Sequence, residues 1–398
     1  MPRLLVCTDT YPPQVNGVSV VTSLTVEGLS RRGWECAVVA PRFPARLDAG
    51  VFGGGAREGD STQPVANERL TTVPSISLPI YPDIRVCLPS PWRVRQAISE
   101  FRPDIVHCAT EGILGRLGQR EALRRGIPVV TSYHTEFAQY ARAYGVGWLY
   151  GPITRYVSAF HKRARRTYTP GGPARESLRA NGVADVEVWG RGVDTERFRP
   201  SLRDESLRES LGVRNRFAFL LVTRLAAEKG VHVVLDAYRR ASARLAPDST
   251  RLLIAGAGPE RTALEATAPP GAVFLGFVER QRALPILYAS CDVFCYASTT
   301  ETLGLVVLEA MSAGLPVIAA PAGGVADHLR DGINGIAYPA GDAEAMASAM
   351  ISLANDPEGR AVLSNGARTT AEGLTWEMEL DRLDRSLRGV VRERQRRD

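Results

Sequence analysis

Two glutamates frame an apolar segment of this sequence. Glu301 and Glu309 enclose "TLGLVVL", which predicts a helix over residues 305–313 that begins just after Gly304. The free N–H groups of a helix N-terminus favour anions, so a phosphate is the expected ligand there. Glu301 could then accept from the hydroxyls of a sugar on that phosphate, and Glu309 from those of a ribose. Because apolar runs flank the segment on both sides, we prefer this interpretation to two solvated glutamates.

Two cations stand in a similar position earlier in the chain. Arg224 and Lys229 follow the apolar run "FAFLLV" and precede a helix predicted over residues 230–245. Ligands of open α/β sheets bind at the carboxyl ends of the strands. An arginine fork and a lysine point charge at that edge suit a diphosphate, although solvated surface cations are the alternative.

Two polar positions in the first half of the chain follow strands in the same way. Gly17, after Asn16, begins a helix behind the first strand, where a glycine lets backbone N–H groups approach an anion. His134 follows "IPVVTSY" and could donate to a ligand or carry a proton near neutral pH. A plain strand-to-helix turn and a hydrogen-bonded structural histidine are the respective alternatives.

A glycine-rich turn in the second half is a weaker signal. "AGAGPER" begins like a dinucleotide-binding fingerprint at Gly256 and Gly258, but Arg261 stands where the third glycine belongs. We therefore expect a tight strand-to-helix turn there, which disfavours a nicotinamide oxidoreductase.

The elements that must position these residues alternate between short apolar strands and helices, which is typical of doubly wound α/β sheets. We expect two domains: residues 1–193 with a C-terminal helix over 376–398, and residues 194–375. A polar, glycine-rich loop is expected over 45–67. The clearest predicted strands are 3–8, "ECAVVAP", 104–110, 127–135, "FAFLLVT", "RLLIAGAG", "AVFLGF", "DVFCYAS" and "PVIAA"; the clearest predicted helices are 18–32, 113–125, 230–245, 281–289, 305–313 and 343–354.

Composition narrows the class of protein. The 398 residues have a formal net charge of +6, but the basic residues are not interleaved with aromatics, so nucleic-acid binding is not expected. The six cysteines are scattered without a C-x-x-C pair, which favours a reduced chain over a disulfide framework. The first residues do not form a signal-peptide pattern, and no apolar run is long enough to span a bilayer. We expect a cytoplasmic protein.

Taken together, the motifs resemble those of glycosyltransferase family 4. The resemblance covers nearly the whole chain and is carried by "YPPQVNGVS", "SYHTEF", "GRGVDTERFRP", "TRLAAEKG", "GAGPER", "ETLGLVVLEAMSAGLPVIA" and "AGGVADHLRDGINGIAYPAGD". It implies a GT-B fold, with two facing Rossmann-like domains and a C-terminal helix that crosses back to the first domain. The family commonly has two glycines where this chain has Asn16-Gly17.

The resemblance also implies roles for individual residues. The diphosphate would contact Gly17, Arg224 and Lys229, the donor sugar His134 and Glu301, and the ribose Glu309. Backbone N–H groups near the start of the helix would hold a phosphate, and the base would pack near residues 276–278. The implied donor-binding positions are Gly17, Arg224, Lys229, Phe277, Val278, Glu301, Thr302, Leu303, Gly304 and Glu309, and the implied catalytic positions are His134, Glu301, Arg224 and Lys229.

The implied activity is transfer of a hexose from a nucleotide-sugar to a lipid or glycan hydroxyl, with retention of the anomeric configuration. The motifs favour mannose from GDP-mannose, and a UDP-sugar-dependent glycolipid synthase is the alternative. A UDP-sugar 2-epimerase or a nucleotide-sugar binding protein is the alternative class. The chain has no D-x-D motif, so we expect neither a metal nor another cofactor. Clusters of basic residues over 160–168 and 388–398 suggest peripheral contact with an anionic membrane, at its inner face.

Overall fold

A computed structural model describes residues 1–14, 16–43, 69–77, 85–134, 147–301 and 303–396. These residues form two α/β units. The first unit contains the described residues up to Gly190 together with those from Glu377 onward, and the second contains Arg191–Trp376. The loop expected over 45–67 lies outside the described residues.

The first unit is built on a seven-stranded, wholly parallel sheet in the order β3-β2-β1-β6-β7-β8-β9. Strands β1 and β2 carry the buried apolar runs "LLVC" and "CAVVA", which is typical of a parallel sheet with helices on both faces. A short antiparallel pair, β4-β5, accompanies the sheet. The strands are β1 Arg3–Cys7, β2 Glu35–Pro41, β3 Arg69–Val73, β4 Ser75–Ser77, β5 Arg85–Cys87, β6 Ile105–Cys108, β7 Val129–Ser132, β8 Arg166–Thr169 and β9 Val186–Val188; the helices are α1 Gly17–Arg31, α2 Pro91–Phe101, α3 Ile113–Arg124, α4 Tyr150–His161 and α5 Gly172–Ala180.

The second unit has a six-stranded parallel sheet in the order β12-β11-β10-β13-β14-β15. One apolar core fills it, from Phe219 on β10 to Met350 on the helix capped by Asp342, whose carboxylate accepts from the N–H groups of Glu344 and Ala345. The strands are β10 Phe217–Val222, β11 Thr250–Ala255, β12 Ala272–Gly276, β13 Val293–Tyr296, β14 Val317–Ala319 and β15 Gly335–Ala337; the helices are α6 Glu205–Ser210, α7 Val231–Ser242, α8 Arg261–Thr267, α9 Ala283–Ala289, α10 Leu305–Ser312, α11 Ala343–Asn355 and α12 Pro357–Glu372.

Both sheets reverse their strand order beside their first strand. In the first unit β1 lies between β2 and β6, and in the second β10 lies between β11 and β13. In open parallel sheets the loops that follow the two strands at such a reversal form the ligand-binding edge. The predicted doubly wound architecture is confirmed, and by this rule the candidate binding edges are the loops after β1 and β6 and those after β10 and β13.

The last helix, α13 (Trp376–Gln395), packs on the first unit. Arg32 pairs with Glu377 and Asp381, and the indole of Trp34 donates to Asp384 over 2.6 Å. Leu380 lies so close to Gly28 of α1 that a methyl group at Gly28 would overlap it. The predicted return of the C-terminal helix to the first unit is therefore observed. Within the described residues, no helix combines the length and apolar character that a bilayer span requires.

Candidate functional site

The two loops at the strand reversal of the second unit approach each other closely. After β10 the chain passes Arg224 and forms a single 3₁₀ turn, Ala227–Lys229, before Gly230 enters α7. Gly230 has φ +64°, and a Cβ there would lie 3.1 Å from the carbonyl oxygen of Ala297, just past β13. This contact brings the lysine of one loop to the glutamate of the other.

Lys229 and Glu301 form an ion pair at this edge. The ammonium lies 2.9 Å from Oε2 of Glu301, and the Tyr296 hydroxyl donates to the same oxygen over 2.5 Å. Burial acts to raise the pKa of Glu301, but Lys229 and the two hydrogen bonds outweigh it, so the pKa lies below its usual value. Glu301 is thus an ionised acceptor at neutral pH. The predicted residues Lys229 and Glu301 are brought together.

Arg224 stands beside this pair in sequence but has another partner. Its guanidinium forms an ion pair with Glu228, a residue that sequence reasoning did not single out. The Arg224 side chain is 44% exposed, compared with 13% for Lys229. Lys229 is therefore the more enclosed of the two cations predicted to bind a diphosphate.

Helix α10 begins behind Glu301. Gly304 precedes its first residue with φ +67°, and among the described residues no side chain caps it. The N–H of Val307 donates to the Gly304 carbonyl over 3.0 Å, and the N–H groups before it are those that a helix start leaves without an intrahelical acceptor. Such a helix start favours an anion. Leu303 is buried and Gly304 is also buried, whereas the predicted position Thr302 lies outside the described residues.

A glycine turn supports the segment before α10. The N–H of Gly324 donates to the carbonyl of Glu301 over 2.7 Å, and a Cβ at Gly323, which has φ +54°, would overlap that carbonyl. The buried His328 lies 3.3 Å from the carbonyl oxygen of Leu303 through Nε2, which must be the donor. Burial, with the charge of Arg191, lowers the pKa of His328 to about 3, so the ring is neutral. Gly323, Gly324 and His328 all lie in the motif "AGGVADHLRDGINGIAYPAGD", but the sequence alone predicts no role for His328.

Glu309, on the second turn of α10, is 2% exposed. Arg280 donates to its Oε1 through Nε over 3.0 Å and also through Nη2. The Tyr288 hydroxyl lies 3.4 Å from its Oε2. The expectation that the two glutamates of the segment are not simply solvated holds for Glu309, but its partner Arg280 was not predicted.

The segment predicted to pack against a base directly follows β12. Gly276 has φ +74°, Phe277 is 57% exposed, and Val278 packs against the core. The exposed ring offers an apolar face of the kind on which a base can stack.

The "AGAGPER" turn is structural, as predicted. Cβ atoms at Gly256 and Gly258 would overlap the carbonyl oxygens of Thr223 and Leu225, respectively. Glycine is needed at both positions because the loop after β11 packs directly against the backbone of the loop after β10 and leaves no room for a side chain.

In the first unit, Gly17 and His134 both follow strands of the sheet. Asn16 caps α1 by accepting from the N–H of Ser19 over 2.9 Å, and its amide donates to Thr10 over 2.8 Å. The family commonly has a glycine at the position of Asn16, and the helix cap and the hydrogen bond to Thr10 give a physical reason for an asparagine in this chain.

His134 is 4% exposed. Burial, and secondarily His161, lower its pKa to about 4. The ring is consequently neutral near neutral pH, which favours a role as a hydrogen-bonding group and argues against the expectation that it carries a proton there.

A buried polar group that sequence reasoning missed lies in the same unit. His161 contacts Thr131 over 2.8 Å and Glu111 over 3.2 Å. Glu111 and His161 come from segments 50 residues apart, so no local pattern joins them. Among the described residues, no three His, Cys, Asp or Glu side chains are grouped so that they could hold a metal ion.

Comparisons with known proteins identify the class. Two family models match in succession, Glycosyltransferase Family 4 over residues 15–197 and Glycosyl transferases group 1 over residues 203–370. A protein of Mycobacterium tuberculosis (strain CDC 1551 / Oshkosh) is 34% identical over 382 residues, which cover 96% of this chain and 95% of the relative. The chain belongs to glycosyltransferase family 4, and it is an enzyme that transfers hexoses.

The relatives carry names that state different transferase activities. The Mycobacterium tuberculosis protein is a "GDP-mannose-dependent alpha-mannosyltransferase". "Sulfoquinovosyl transferase SQD2" of Arabidopsis thaliana is 33% identical over 314 residues, which cover 76% of this chain and 60% of that protein. Among solved structures, Anabaena Alr3699/HepE in complex with UDP-glucose has a TM-score of 0.74 at 20% identity, with 97% of this chain and 99% of that chain covered. The fold is that of the GT-B glycosyltransferases.

Proposed function

We propose that the protein is a retaining, metal-independent transferase that moves a hexose from a nucleotide-sugar to a hydroxyl of a lipid or glycan. The observation that carries this proposal is the Lys229–Glu301 ion pair in front of the uncapped helix α10. This arrangement suits a sugar diphosphate. The cation and the helix N-terminus would bind its phosphates, and the ionised carboxylate would accept hydrogen bonds from its sugar hydroxyls.

In the proposed reaction the bond between the sugar's anomeric carbon and the phosphate oxygen breaks, and its electron pair stays on the diphosphate. The acceptor oxygen bonds to the anomeric carbon on the same face, and its proton passes to the departing phosphate. Lys229, Arg224 and the N–H groups of Leu303 and Gly304 would stabilise the growing phosphate charge. Glu301 would hold the sugar hydroxyls. Gly17 at the diphosphate and His134 at the sugar remain predictions.

For the donor we favour GDP-mannose, because the Mycobacterium tuberculosis relative carries that donor in its name and aligns with nearly the whole chain. A UDP-sugar used for glycolipid synthesis is the second candidate, favoured by the similarity to a sulfoquinovosyl transferase. In either case Phe277 and Val278 would contact the base, and Glu309 the ribose.

We also propose reversible contact with an anionic membrane, from which a lipid acceptor would be taken. Lys162, Arg163 and Arg165 are exposed, as are Arg392 on the last helix and Arg396 just after it. Each basic side chain near an anionic surface contributes about 1 kcal/mol. Sedimentation with phosphatidylglycerol vesicles should exceed that with phosphatidylcholine vesicles and should decrease with salt. Equal sedimentation with both would contradict the proposal.

A donor screen tests the main proposal. The purified protein is incubated with GDP-mannose and a panel of UDP-hexoses, with and without diacylglycerol or glycolipid acceptors, and release of nucleoside diphosphate is measured. One donor should be cleaved faster when an acceptor is present, and NMR of the product should show the donor's anomeric configuration. A product with inverted anomeric configuration would contradict the proposal that the enzyme is retaining. If no donor released nucleoside diphosphate, the proposal that it uses a nucleotide-sugar would be wrong.

A further inference from the structure

The ion pair between Arg280 and Glu309 connects two parts of the donor site. Arg280 lies on the loop after β12, four residues beyond Gly276, whereas Glu309 lies on α10. Both the Nε and Nη2 groups of Arg280 donate to one carboxylate oxygen, Oε1. The base-side loop is thereby tied to the carboxylate expected at the ribose.

Arg280 is itself held in place. Its guanidinium lies over the ring of Phe198, 6.0 Å from the ring centre, and Phe198 is buried against Tyr288 with ring centres 5.8 Å apart. Its side chain is 24% exposed, so it is partly enclosed. Tyr288 in turn approaches Oε2 of Glu309. The carboxylate is therefore oriented by groups from two sides.

This arrangement limits what Glu309 can offer to a ligand. A carboxylate has about four acceptor positions, two on each oxygen. The two donors of Arg280 occupy the acceptor positions of Oε1. The 3.4 Å contact from the Tyr288 hydroxyl to Oε2 is at most a weak hydrogen bond. The oxygen that remains for a ribose hydroxyl is Oε2, in an orientation that Arg280 sets.

We propose that Arg280 is a positioning residue for the nucleoside. By orienting Glu309, it determines how much more tightly the site binds a nucleotide with the ribose hydroxyl than the deoxy analogue that lacks it. The inference rests on the proposed function, since it takes a nucleoside diphosphate as the ligand. Arg280 need not contact the ribose. Its effect arises because a buried carboxylate without its cation loses both its fixed orientation and the stabilisation of its charge.

The experiment compares the binding of GDP or UDP, whichever binds more tightly, with that of its 2′-deoxy and 3′-deoxy analogues by calorimetry. In the wild type at least one deoxy analogue should bind about tenfold to a hundredfold more weakly, as for a hydrogen bond to a charged group. In Arg280→Met this ratio should fall to within about threefold, and Arg280→Lys should restore it in part, because a point charge replaces a fork.

Two further variants make the result specific. Arg282→Met changes an exposed arginine on the same loop and should keep the wild-type ratio. The double variant Arg280→Met with Glu309→Gln avoids a buried unpaired charge, and its ratio should equal that of Glu309→Gln alone, because the two residues act as one unit. Circular dichroism and thermal melts check that each variant is folded.

The outcomes separate this inference from the proposed function. If the wild type discriminates against a deoxy analogue and folded Arg280→Met discriminates equally well, the inference is wrong and the proposed function stands. The same holds if the wild type binds all three nucleotides equally. If the wild type binds neither GDP nor UDP, the nucleotide-sugar proposal itself is wrong.

Discussion

Replacing Lys229 by methionine tests the proposed phosphate site most directly. The substitution keeps a side chain of similar length but removes the ammonium that lies 2.9 Å from Glu301. Because charge grows on the leaving diphosphate as the glycosidic bond breaks, loss of this donor should reduce turnover by about 10²–10³, equivalent to about 2.7–4 kcal/mol of transition-state stabilisation. Lys229→Arg should retain more activity than Lys229→Met because it keeps the charge.

The same change should create a pH dependence. In the wild type the pKa of Glu301 lies below its usual value because Lys229 and its hydrogen bonds outweigh the effect of burial. Without Lys229, burial acts against a single remaining tyrosine hydrogen bond, so the pKa of Glu301 rises. A protonated Glu301 loses an acceptor, so residual turnover of Lys229→Met should increase with pH through the raised pKa, whereas Glu301 should give the wild type no such step above about pH 5.

Steady-state kinetics with the donor identified by the screen, measured between about pH 5 and 9, would check both effects. Lys162→Met is the matched control, since Lys162 is exposed and belongs to the first unit. Its kcat with a soluble acceptor should match the wild type. The reasoning fails if Lys229→Met retains kcat and kcat/KM within about threefold of the wild type, well short of the loss expected for a transition-state contact.

Three further predictions follow from the same structure. Gly323→Ala should lower kcat/KM well below that of Gly332→Ala, because both glycines have positive φ but only Gly323 lies against the Glu301 carbonyl. Gly332→Ala should lose about 1–2 kcal/mol of stability in urea unfolding and Gly323→Ala more, because its Cβ would also overlap that carbonyl; equal kcat/KM values would contradict the supporting role of the turn. His134→Ala should lose turnover yet keep nucleoside diphosphate affinity, and it should also reduce the acid sensitivity of stability. A pKa of about 4 in the folded state, against an ordinary 6.5, means that His134 contributes up to about 3 kcal/mol of stability that is lost as pH falls from about 6.5 to 4, and urea unfolding at both ends would measure that share. EDTA and Mg²⁺ should each leave turnover unchanged, and a restored activity on adding metal to a chelated sample would refute metal independence.

The sequence predicted those parts of the fold that local patterns encode. The run "ECAVVAP" is strand Glu35–Pro41, and the helix expected over 343–354 is Ala343–Asn355, with Asp342 as its cap. The helix expected over 230–245 is shorter, Val231–Ser242. The strand Arg166–Thr169 was not predicted because three of the four residues in "RTYT" are polar, although the sheet largely buries them.

The site was predictable to the extent that it depends on strand ends. Lys229 and Glu301 each follow an apolar strand, and the sheet brings two such ends together. Arg280 was not predictable, because its relation to Glu309 depends on how a loop folds over α10, 29 residues away in sequence. His328 was missed for the same reason, since only the tertiary fold brings it to the Leu303 carbonyl.

The Lys229–Glu301 pair also has an analytical use, because the chain contains only two lysines, Lys162 and Lys229, among 49 lysines and arginines. Lys229 is enclosed and held as an ammonium by a carboxylate, whereas Lys162 is exposed. Amine-selective reagents should therefore modify Lys162 and the α-amino group rapidly and Lys229 slowly. Lys162 becomes a handle for immobilising the enzyme through its first unit, and the labelling rate of Lys229, measured by mass spectrometry, becomes a built-in reporter of donor-site occupancy that requires no introduced probe.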